Sequence, residues 1–201
     1  SLLPANVRLL SGPGCPVCVT PNHHLDRAIA YARQQNVTVA TFGDLMRVPG
    51  STSSLAKERS EGRDVRIVYS AADALRLAQE NPRRVLVFLG IGFETTAPTV
   101  AASLQDAKKG SLGNYLVFCM HKLIPPAIKA ILDSGELRVN GFILPGHVST
   151  IIGSEAYRFS AEDYGVPCVV AGFEPSDILQ AVLMLAKQIV NGENRVDNQY
   201  T

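Results

Sequence analysis

The fold is decided by a short apolar run, Val85-Leu86-Val87-Phe88-Leu89-Gly90, which is followed by a helical pattern over Thr96–Lys108. Apolar and polar residues do not alternate in this run, as is typical of a strand covered on both faces. Similar runs recur at Val7–Ser11, Val37–Phe42, Val65–Ser70, Tyr115–Met120, Phe142–Leu144 and Cys168–Ala171. Helical patterns between them cover Leu25–Gln35, Ala71–Glu80, Pro126–Ser134, Thr150–Phe159 and Ser176–Val190. This alternation predicts parallel α/β sheets with right-handed crossovers.

The length of 201 residues allows one large domain or two small ones. The polar stretch Glu80–Arg84 is the best candidate boundary. We therefore predict a first α/β lobe over residues 1–82 and a second over residues 83–201, with a C-terminal helix and tail. The chain opens without methionine and closes on polar residues. We expect it to be part of a longer protein.

Charge and hydropathy argue against several function classes. The net charge is +1 and no block of like charge stands out, whereas nucleic-acid binding needs a basic face. No apolar run is long enough to cross a membrane, and no charged-then-apolar leader opens the chain. We expect a cytoplasmic protein that binds neither nucleic acid nor membrane.

The most unusual motif is the loop Gly12-Pro13-Gly14-Cys15-Pro16-Val17-Cys18. Its Cys-x-x-Cys spacing allows both sulfur atoms to face one point, so the pair can close a disulfide or hold a metal ion. Four cysteines are too few for a disulfide scaffold in a chain of this length. A redox dithiol, an iron site and a structural zinc site completed by His23 and His24 all remain open.

Each unusual motif follows a candidate strand, and the cysteine loop follows the candidate strand Val7–Ser11. Because ligand sites of open α/β sheets lie at the carboxyl ends of the strands, we expect these motifs to gather at one edge. The motifs are Gly12–Cys18, Thr41–Asp44, Gly92–Pro98, His121-Lys122, Pro145–Ser149 and Gly172–Pro175.

Structural roles compete with functional ones at each position. Glu94 is either a helix-start carboxylate, with Thr95 or Thr96 as the cap, or a site residue. His147 lies in a loop whose strand-end position favours function, and Ser149 is available as the next N-cap. His121 and Asp44 are more simply a core histidine and a turn acid.

Cys119 and Cys168 lie inside apolar strands, and we predict that both are inert core thiols.

Together these motifs resemble the HypD family of hydrogenase maturation proteins, over essentially the whole chain. The resemblance rests on Gly12–Cys18, Thr41–Asp44 with Arg47–Gly50, Gly92–Pro98, Pro145–Ser149, and Gly172–Pro175 with Asp177. It implies two Rossmann-like α/β lobes around a cleft.

The resemblance also implies a scaffold for assembling the Fe(CN)2CO unit of [NiFe]-hydrogenase, in complex with HypC and with cyanide delivered through HypE. It implies iron binding and thiol redox chemistry at Cys15 and Cys18, which we expect to be the metal ligands. It implies that Glu94 and His147 act beside them, with Gly14, Thr95, Thr96 and Ser149 binding the cargo. Soft thiolates suit low-spin iron of this kind.

Two parts of the family pattern are expected outside this stretch. The resemblance implies an earlier iron-site cysteine before Ser1 and the ligands of a [4Fe-4S] cluster beyond Thr201. We therefore expect that cluster only in the full-length protein. A thiol–disulfide oxidoreductase and a two-lobed binding module with a zinc-stiffened loop are the alternatives.

Overall fold

A computed structural model of the chain describes residues 3–12, 14–136 and 139–200. The strands in these ranges are β1 (Val37–Thr41), β2 (Val65–Ile67), β3 (Val85–Gly90), β4 (Tyr115–Cys119), β5 (Phe142–Pro145), β6 (Cys168–Ala171) and β7 (Val196–Asn198). The α-helices are α1 (Asn22–Ala32), α2 (Leu55–Ser60), α3 (Ala71–Glu80), α4 (Ala97–Lys109), α5 (Ile124–Ser134), α6 (Gly146–Ile152), α7 (Arg158–Glu162) and α8 (Pro175–Asn191). Two short 3₁₀ helices cover Gly43–Arg47 and Ser154–Tyr157.

The strands form two separate parallel sheets, which confirms the predicted α/β class. The first sheet has the order β2-β1-β3-β4, and the second has the order β5-β6-β7. In the first sheet β3 is central, and its register pairs Val87 with Val39 on one side and with Leu116 on the other. The decisive run therefore forms a buried inner strand, as its composition predicts.

The chain divides into two compact units at a different place from the one we predicted. Residues 1–92 and 99–121 form the first unit, and residues 93–98 and 122–201 form the second. The expected boundary after residue 82 falls inside the first unit, because β3 forms hydrogen bonds to β1 across that boundary. The pairing of β1 with β3 keeps the segments on both sides of Glu80–Arg84 in one unit, although the composition of this stretch is typical of a linker.

Each unit has its own apolar core. In the first unit α1 contributes Leu25, Ala28, Ile29 and Ala32 to one face of the sheet, as the sequence pattern predicts. The opposite face is covered by α3 and α4. In the second unit Tyr157, Leu144 and Ile128 form one cluster, and α8 covers the other face of β6 through Ala181 and Leu185.

Two strand predictions need correction. Val7–Ser11 forms no strand, and Leu9 and Leu10 are each 51% exposed. In the described residues no strand forms hydrogen bonds to this segment, so the segment does not join a sheet that could bury the two leucines. Conversely, the polar tail forms β7, which pairs with β6 because an edge strand needs only one neighbour.

Helix boundaries differ where local chemistry intervenes. The predicted helix Thr150–Phe159 is interrupted at Gly153, whose φ of 78° ends α6. The short helix α2 begins after its N-cap Ser54, whose side chain accepts a hydrogen bond from the backbone N–H of Lys57 at 3.3 Å. None of the described helices is long and apolar enough to span a bilayer.

Candidate functional site

Cys15 and Cys18 are joined by a disulfide in the first unit. Their Cα atoms lie 5.2 Å apart, and the backbone N–H of Cys18 points at the Cys15 sulfur at 3.1 Å. A backbone donor aimed at Sγ would also stabilise a thiolate there once the disulfide is reduced. Cys18 is exposed and Cys15 is partly buried, so the pair is open to exchange with other thiols.

The loop is held by its own turn and not by a preceding strand. The hydroxyl of Thr20 donates to the carbonyl of Pro16 at 2.8 Å, and Val17 packs against the core beneath. Pro21 occupies the N-cap position of α1. Because Val7–Ser11 is not a strand, the loop's position at a strand end was a wrong prediction. Pro13 lies outside the described residues.

The space around the cysteines is open. A Cβ placed on Gly14 would meet nothing within 4 Å, so packing does not require glycine there. His23 and His24 contact each other with ring centroids 4.4 Å apart, and the His24 ring lies on Phe118. In the described residues no three His, Cys, Asp or Glu side chains are close enough together to hold a metal. The two predicted iron ligands, Cys15 and Cys18, therefore have no third such side chain beside them in the described residues, and their sulfur atoms are bonded to each other.

Glu94 lies in the second unit and is 6% exposed. Its Oε1 accepts a hydrogen bond from the backbone N–H of Ile124 at 2.7 Å, at the first residue of α5. The sequence predicted a helix-start carboxylate, and Glu94 does serve a helix start, but it is that of α5 and not of the helix that follows it. Its Oε2 is buried and has no hydrogen-bond partner in the described part of the chain.

The neighbouring threonines are both partly buried. The hydroxyl of Thr96 donates to the carbonyl of Phe93 at 3.2 Å, so it closes the turn before α4. This is a local role. The predicted cargo-binding role of Thr95 and Thr96 stays a prediction.

Ser149 lies inside α6 and does not form its N-cap. Its hydroxyl donates to the carbonyl of Pro145 at 2.9 Å and lies 3.3 Å from the hydroxyl of Tyr157, which is fully buried. Burial raises the pKa of Tyr157, the contact with Ser149 opposes this shift, and the charge of Glu94 adds to it. Tyr157 therefore links the Glu94 motif electrostatically to the Pro145–Ser149 motif, a connection that sequence reasoning missed.

His147 is exposed in the first turn of α6, and its ring centroid lies 5.0 Å from that of Phe173. Phe173 follows β6 and is 67% exposed. The two strand-end motifs of the second sheet thus meet at this pair. A solvent-accessible imidazole beside an aromatic ring can bind a ligand or exchange a proton.

The tail also contacts the residues that follow β5 and β6. The Tyr200 ring lies so close to Gly146 that a Cβ there would be 2.6 Å from Tyr200 Cγ. The side chain of Gln199 accepts from the backbone N–H of Gly172 at 3.2 Å and donates to Asp177 at 3.0 Å. The Tyr200 contact therefore explains Gly146, whereas a Cβ at Gly172 would first meet the Asp177 carboxylate. Gln199 and Tyr200 were missed because the tail looked like a polar end.

The two remaining cysteines differ. Cys168 is buried in β6, which confirms the predicted core position, and burial raises the pKa of its thiol. Cys119 is exposed at the end of β4, so the same prediction was wrong there. Its sulfur lies 3.5 Å from Nδ1 of His121. Asp44 is exposed in the first turn of a 3₁₀ helix, consistent with a turn acid.

Comparison with known proteins decides the family. The profile of the HypD family, described as the hydrogenase formation hypA family, matches residues 1–201. The chain belongs to the HypD family. The family resemblance drawn from the motifs is thereby confirmed.

Individual HypD relatives are closely similar. The chain is 53% identical to the hydrogenase maturation factor HypD of Rhizobium leguminosarum bv. viciae over 99% of its own length and 54% of that protein. It is 51% identical to the HypD of Rhodobacter capsulatus, with 99% of this chain and 53% of that protein covered. It is 50% identical to the HypD of Escherichia coli K12, again with 99% and 53% covered. The chain spans about half the length of the HypD relatives that it matches.

Proposed function

We propose that this protein acts in hydrogenase maturation as a scaffold on which the Fe(CN)2CO unit of [NiFe]-hydrogenase is assembled. Family membership supports the general role, since the similar relatives are called hydrogenase maturation factors. The observation that supports the proposed chemistry is the Cys15–Cys18 pair, of which Cys18 is exposed to solvent and Cys15 is partly buried.

The proposed cycle begins with opening of the disulfide. Two external thiols reduce it, and they leave as a disulfide while Cys15 and Cys18 become thiols. Loss of the thiol protons to solvent then frees two soft ligands for iron. The backbone N–H of Cys18 favours the thiolate at Cys15, so we assign Cys15 as the first ligand.

Residues other than the two cysteines are also proposed to act on the cargo. Glu94 would use its buried Oε2, which has no partner in the described residues, to accept a hydrogen bond. His147, exposed beside Phe173, would donate one to a cyanide nitrogen, and Thr95 and Thr96 are further candidate donors. Gly14 would let the cargo approach the loop backbone. Ser149 would act on the cargo only indirectly, since its hydroxyl already donates a hydrogen bond to the carbonyl of Pro145.

Partners and location follow from the family as further proposals. We propose that HypC binds the protein stably, that HypE delivers cyanide transiently, and that the complex works in the cytoplasm. No iron–sulfur cluster is assigned to these 201 residues, whose four cysteines are accounted for by the disulfide, one exposed thiol and one buried thiol.

The test is complementation of a host that lacks its own HypD-family protein. Cys15→Ser and Cys18→Ser should each abolish hydrogenase maturation and remove the infrared bands of iron-bound cyanide and carbon monoxide from the purified protein. Cys168→Ala, which removes a buried cysteine far from solvent, is the matched control and should preserve both. Maturation by both Cys15→Ser and Cys18→Ser would refute the assignment.

The same preparation separates the alternatives. Turnover of small disulfides by a protein that carries no cyanide bands would favour a thiol–disulfide oxidoreductase. Stoichiometric zinc that depends on the two cysteines, without any effect of their loss on maturation, would favour a binding module with a zinc-stiffened loop.

A further inference from the structure

Cys119 and His121 lie together at the carboxyl end of β4 in the first unit. The Cys119 sulfur is 3.5 Å from His121 Nδ1. Cys119 is exposed and is not part of a disulfide, and His121 is partly buried. Cys119 lies outside the motifs that carry the family resemblance, and it has no role in the proposed function.

The backbone holds this pair in position. Between them, Met120 is 1% exposed and belongs to the core cluster that also contacts Phe118. Because successive side chains of an extended segment point to opposite sides, Cys119 and His121 share the side away from that cluster. Cys119 is in register with Gly90, and the backbone N–H of Met120 donates to the Gly90 carbonyl at 2.7 Å. Cys119 and His121 therefore flank a residue whose backbone is fixed by hydrogen bonding to β3.

Gly90 makes room for the imidazole. A Cβ at Gly90 would lie 3.3 Å from Cε1 of His121 and 3.0 Å from Cγ1 of Val117. Both distances are tighter than ordinary van der Waals contact, so the ring packs against bare backbone at the end of β3. This contact restricts the ring and keeps Nδ1 on the side of the Cys119 sulfur.

The distance between the Cys119 sulfur and His121 Nδ1 matches that of two ligand atoms bound to the same metal ion. Zinc-type ions bind cysteine sulfur at about 2.3 Å and histidine nitrogen at about 2.0–2.1 Å, in tetrahedral geometry. Those bond lengths place the two ligand atoms about 3.5 Å apart. The observed separation is 3.5 Å. Thiolate and imidazole are also the donors that borderline divalent transition metals prefer.

We propose that Cys119 and His121 form a two-residue binding site for a divalent transition-metal ion of the zinc and iron type. Metal binding replaces the thiol proton, which passes to solvent, and Nδ1 supplies its lone pair while Nε2 carries the ring proton. The described residues provide no third His, Cys, Asp or Glu ligand. Water or a ligand arriving with the metal fills the remaining positions, so the site suits weak and exchangeable binding.

The site is independent of the proposed function, since it uses neither Cys15 nor Cys18. The experiment therefore uses protein in which the Cys15–Cys18 disulfide is closed, under anaerobic conditions and without reductant. Co²⁺ is the probe because its bond to a thiolate gives a charge-transfer band in the near ultraviolet. Zn²⁺ added afterwards should displace Co²⁺ and bleach that band.

The expected result is one Co²⁺ per chain whose band disappears in Cys119→Ser. His121→Gln should weaken Co²⁺ binding at least about tenfold, the loss that follows even from removing a supporting contact. Cys168→Ala and His23→Gln are the matched controls, and both should leave the band and the affinity unchanged. Cys119→His offers nitrogen in place of sulfur, so it should retain Co²⁺ but lose the band, which tests the site even if Cys119→Ser unfolds.

Other outcomes would overturn the proposal. Absence of the band at saturating Co²⁺ would mean that the pair is only a thiol–imidazole hydrogen bond. A band that survives in Cys119→Ser would place the cobalt elsewhere. Both results would leave the proposed function untouched, since that function is tested through Cys15, Cys18 and hydrogenase maturation.

Discussion

The carboxylate of Glu94 accepts a hydrogen bond from the backbone N–H of Ile124 at 2.7 Å and thereby caps a helix that begins 30 residues later in the chain. One oxygen of the side chain is used for this cap, and the other is buried without a partner in the described residues. The same residue therefore has a structural role and an unused acceptor. Substitutions that change the cap and the second oxygen separately can show which of them hydrogenase maturation requires.

Glu94→Gln retains an oxygen for the N–H of Ile124, whereas Glu94→Ala removes it. We expect Glu94→Ala to lower the free energy of unfolding by about 1–2 kcal/mol and Glu94→Gln to lower it by less than about 1 kcal/mol. Urea denaturation measures both. Glu94→Gln should nevertheless reduce hydrogenase maturation, because it removes the carboxylate. Glu162→Gln, in an exposed ion pair with Arg158, is the control that should change neither quantity. Full maturation by a stable Glu94→Gln protein would restrict Glu94 to its structural role.

A second prediction concerns Glu58, which is 1% exposed and accepts two hydrogen bonds from Arg33, at 2.7 and 3.1 Å. Removing one partner leaves the other without compensation, but Arg33 is 48% exposed and water can solvate it. We therefore expect Glu58→Gln to lower the free energy of unfolding by about 2–3 kcal/mol, below the range for fully buried pairs. The exposed pair of Lys57 and Glu61, 4.0 Å apart, supplies the control: Glu61→Gln should cost less than about 0.5 kcal/mol.

The same ion pair predicts a pH dependence. The hydrogen bond from Arg33 lowers the pKa of Glu58, and the hydroxyl of Ser53 lowers it further. The Glu58 carboxyl therefore binds a proton less tightly in the folded state than in the unfolded state. This stabilisation is complete above the unfolded-state pKa of about 4.3 and is lost as the pH falls through the lower folded-state value. Urea midpoints measured from pH 6 down to about pH 3 should fall less steeply in Glu58→Gln than in the wild type. Parallel curves would contradict the assignment.

The two glycines Gly146 and Gly14 should behave in opposite ways. A Cβ at Gly146 would lie 2.6 Å from Cγ of Tyr200 and 2.8 Å from the carbonyl oxygen of Ala171, so Gly146→Ala should cost about 1–3 kcal/mol of stability. Gly14→Ala meets nothing within 4 Å and should change stability by less than about 0.5 kcal/mol. If Gly14 lies against the cargo as proposed, this stable variant should still mature hydrogenase less well. Equal maturation would remove Gly14 from the site.

Thiol counting distinguishes the four cysteines. Without reductant, a thiol-specific reagent such as Ellman's reagent should titrate one fast thiol in this chain, that of Cys119. Cys168 should react slowly because it is buried and burial raises its pKa. Reduction of the Cys15–Cys18 disulfide should raise the fast count to three. Cys119→Ser should remove the fast thiol of the oxidised protein and Cys168→Ala should not; the reverse pattern would show that the burial of the two thiols is misassigned.

Elements governed by local chemistry could be predicted closely. The helix Ala71–Glu80 has the predicted bounds, because Ser70 caps it and Ala71, Ala74, Leu75 and Ala78 repeat on one face. The buried inner strands were also recognised from continuous apolar composition. Strands whose existence depends on a distant partner could not be predicted. Val7–Ser11 has suitable residues but pairs with no strand in the described part of the chain, whereas Val196–Asn198 is polar and pairs with β6.

The candidate site shows the same division. The sequence by itself determined the α/β class, the family and the residue types at the strand ends, since these depend on composition and on motifs along the chain. Only the tertiary structure decided that Glu94 caps a remote helix, that Tyr200 packs against Gly146, and that Cys119 is exposed beside His121. The reason is physical. A side chain's type is local, but its burial and its partners depend on which strand lies at an edge and which segment folds back over it.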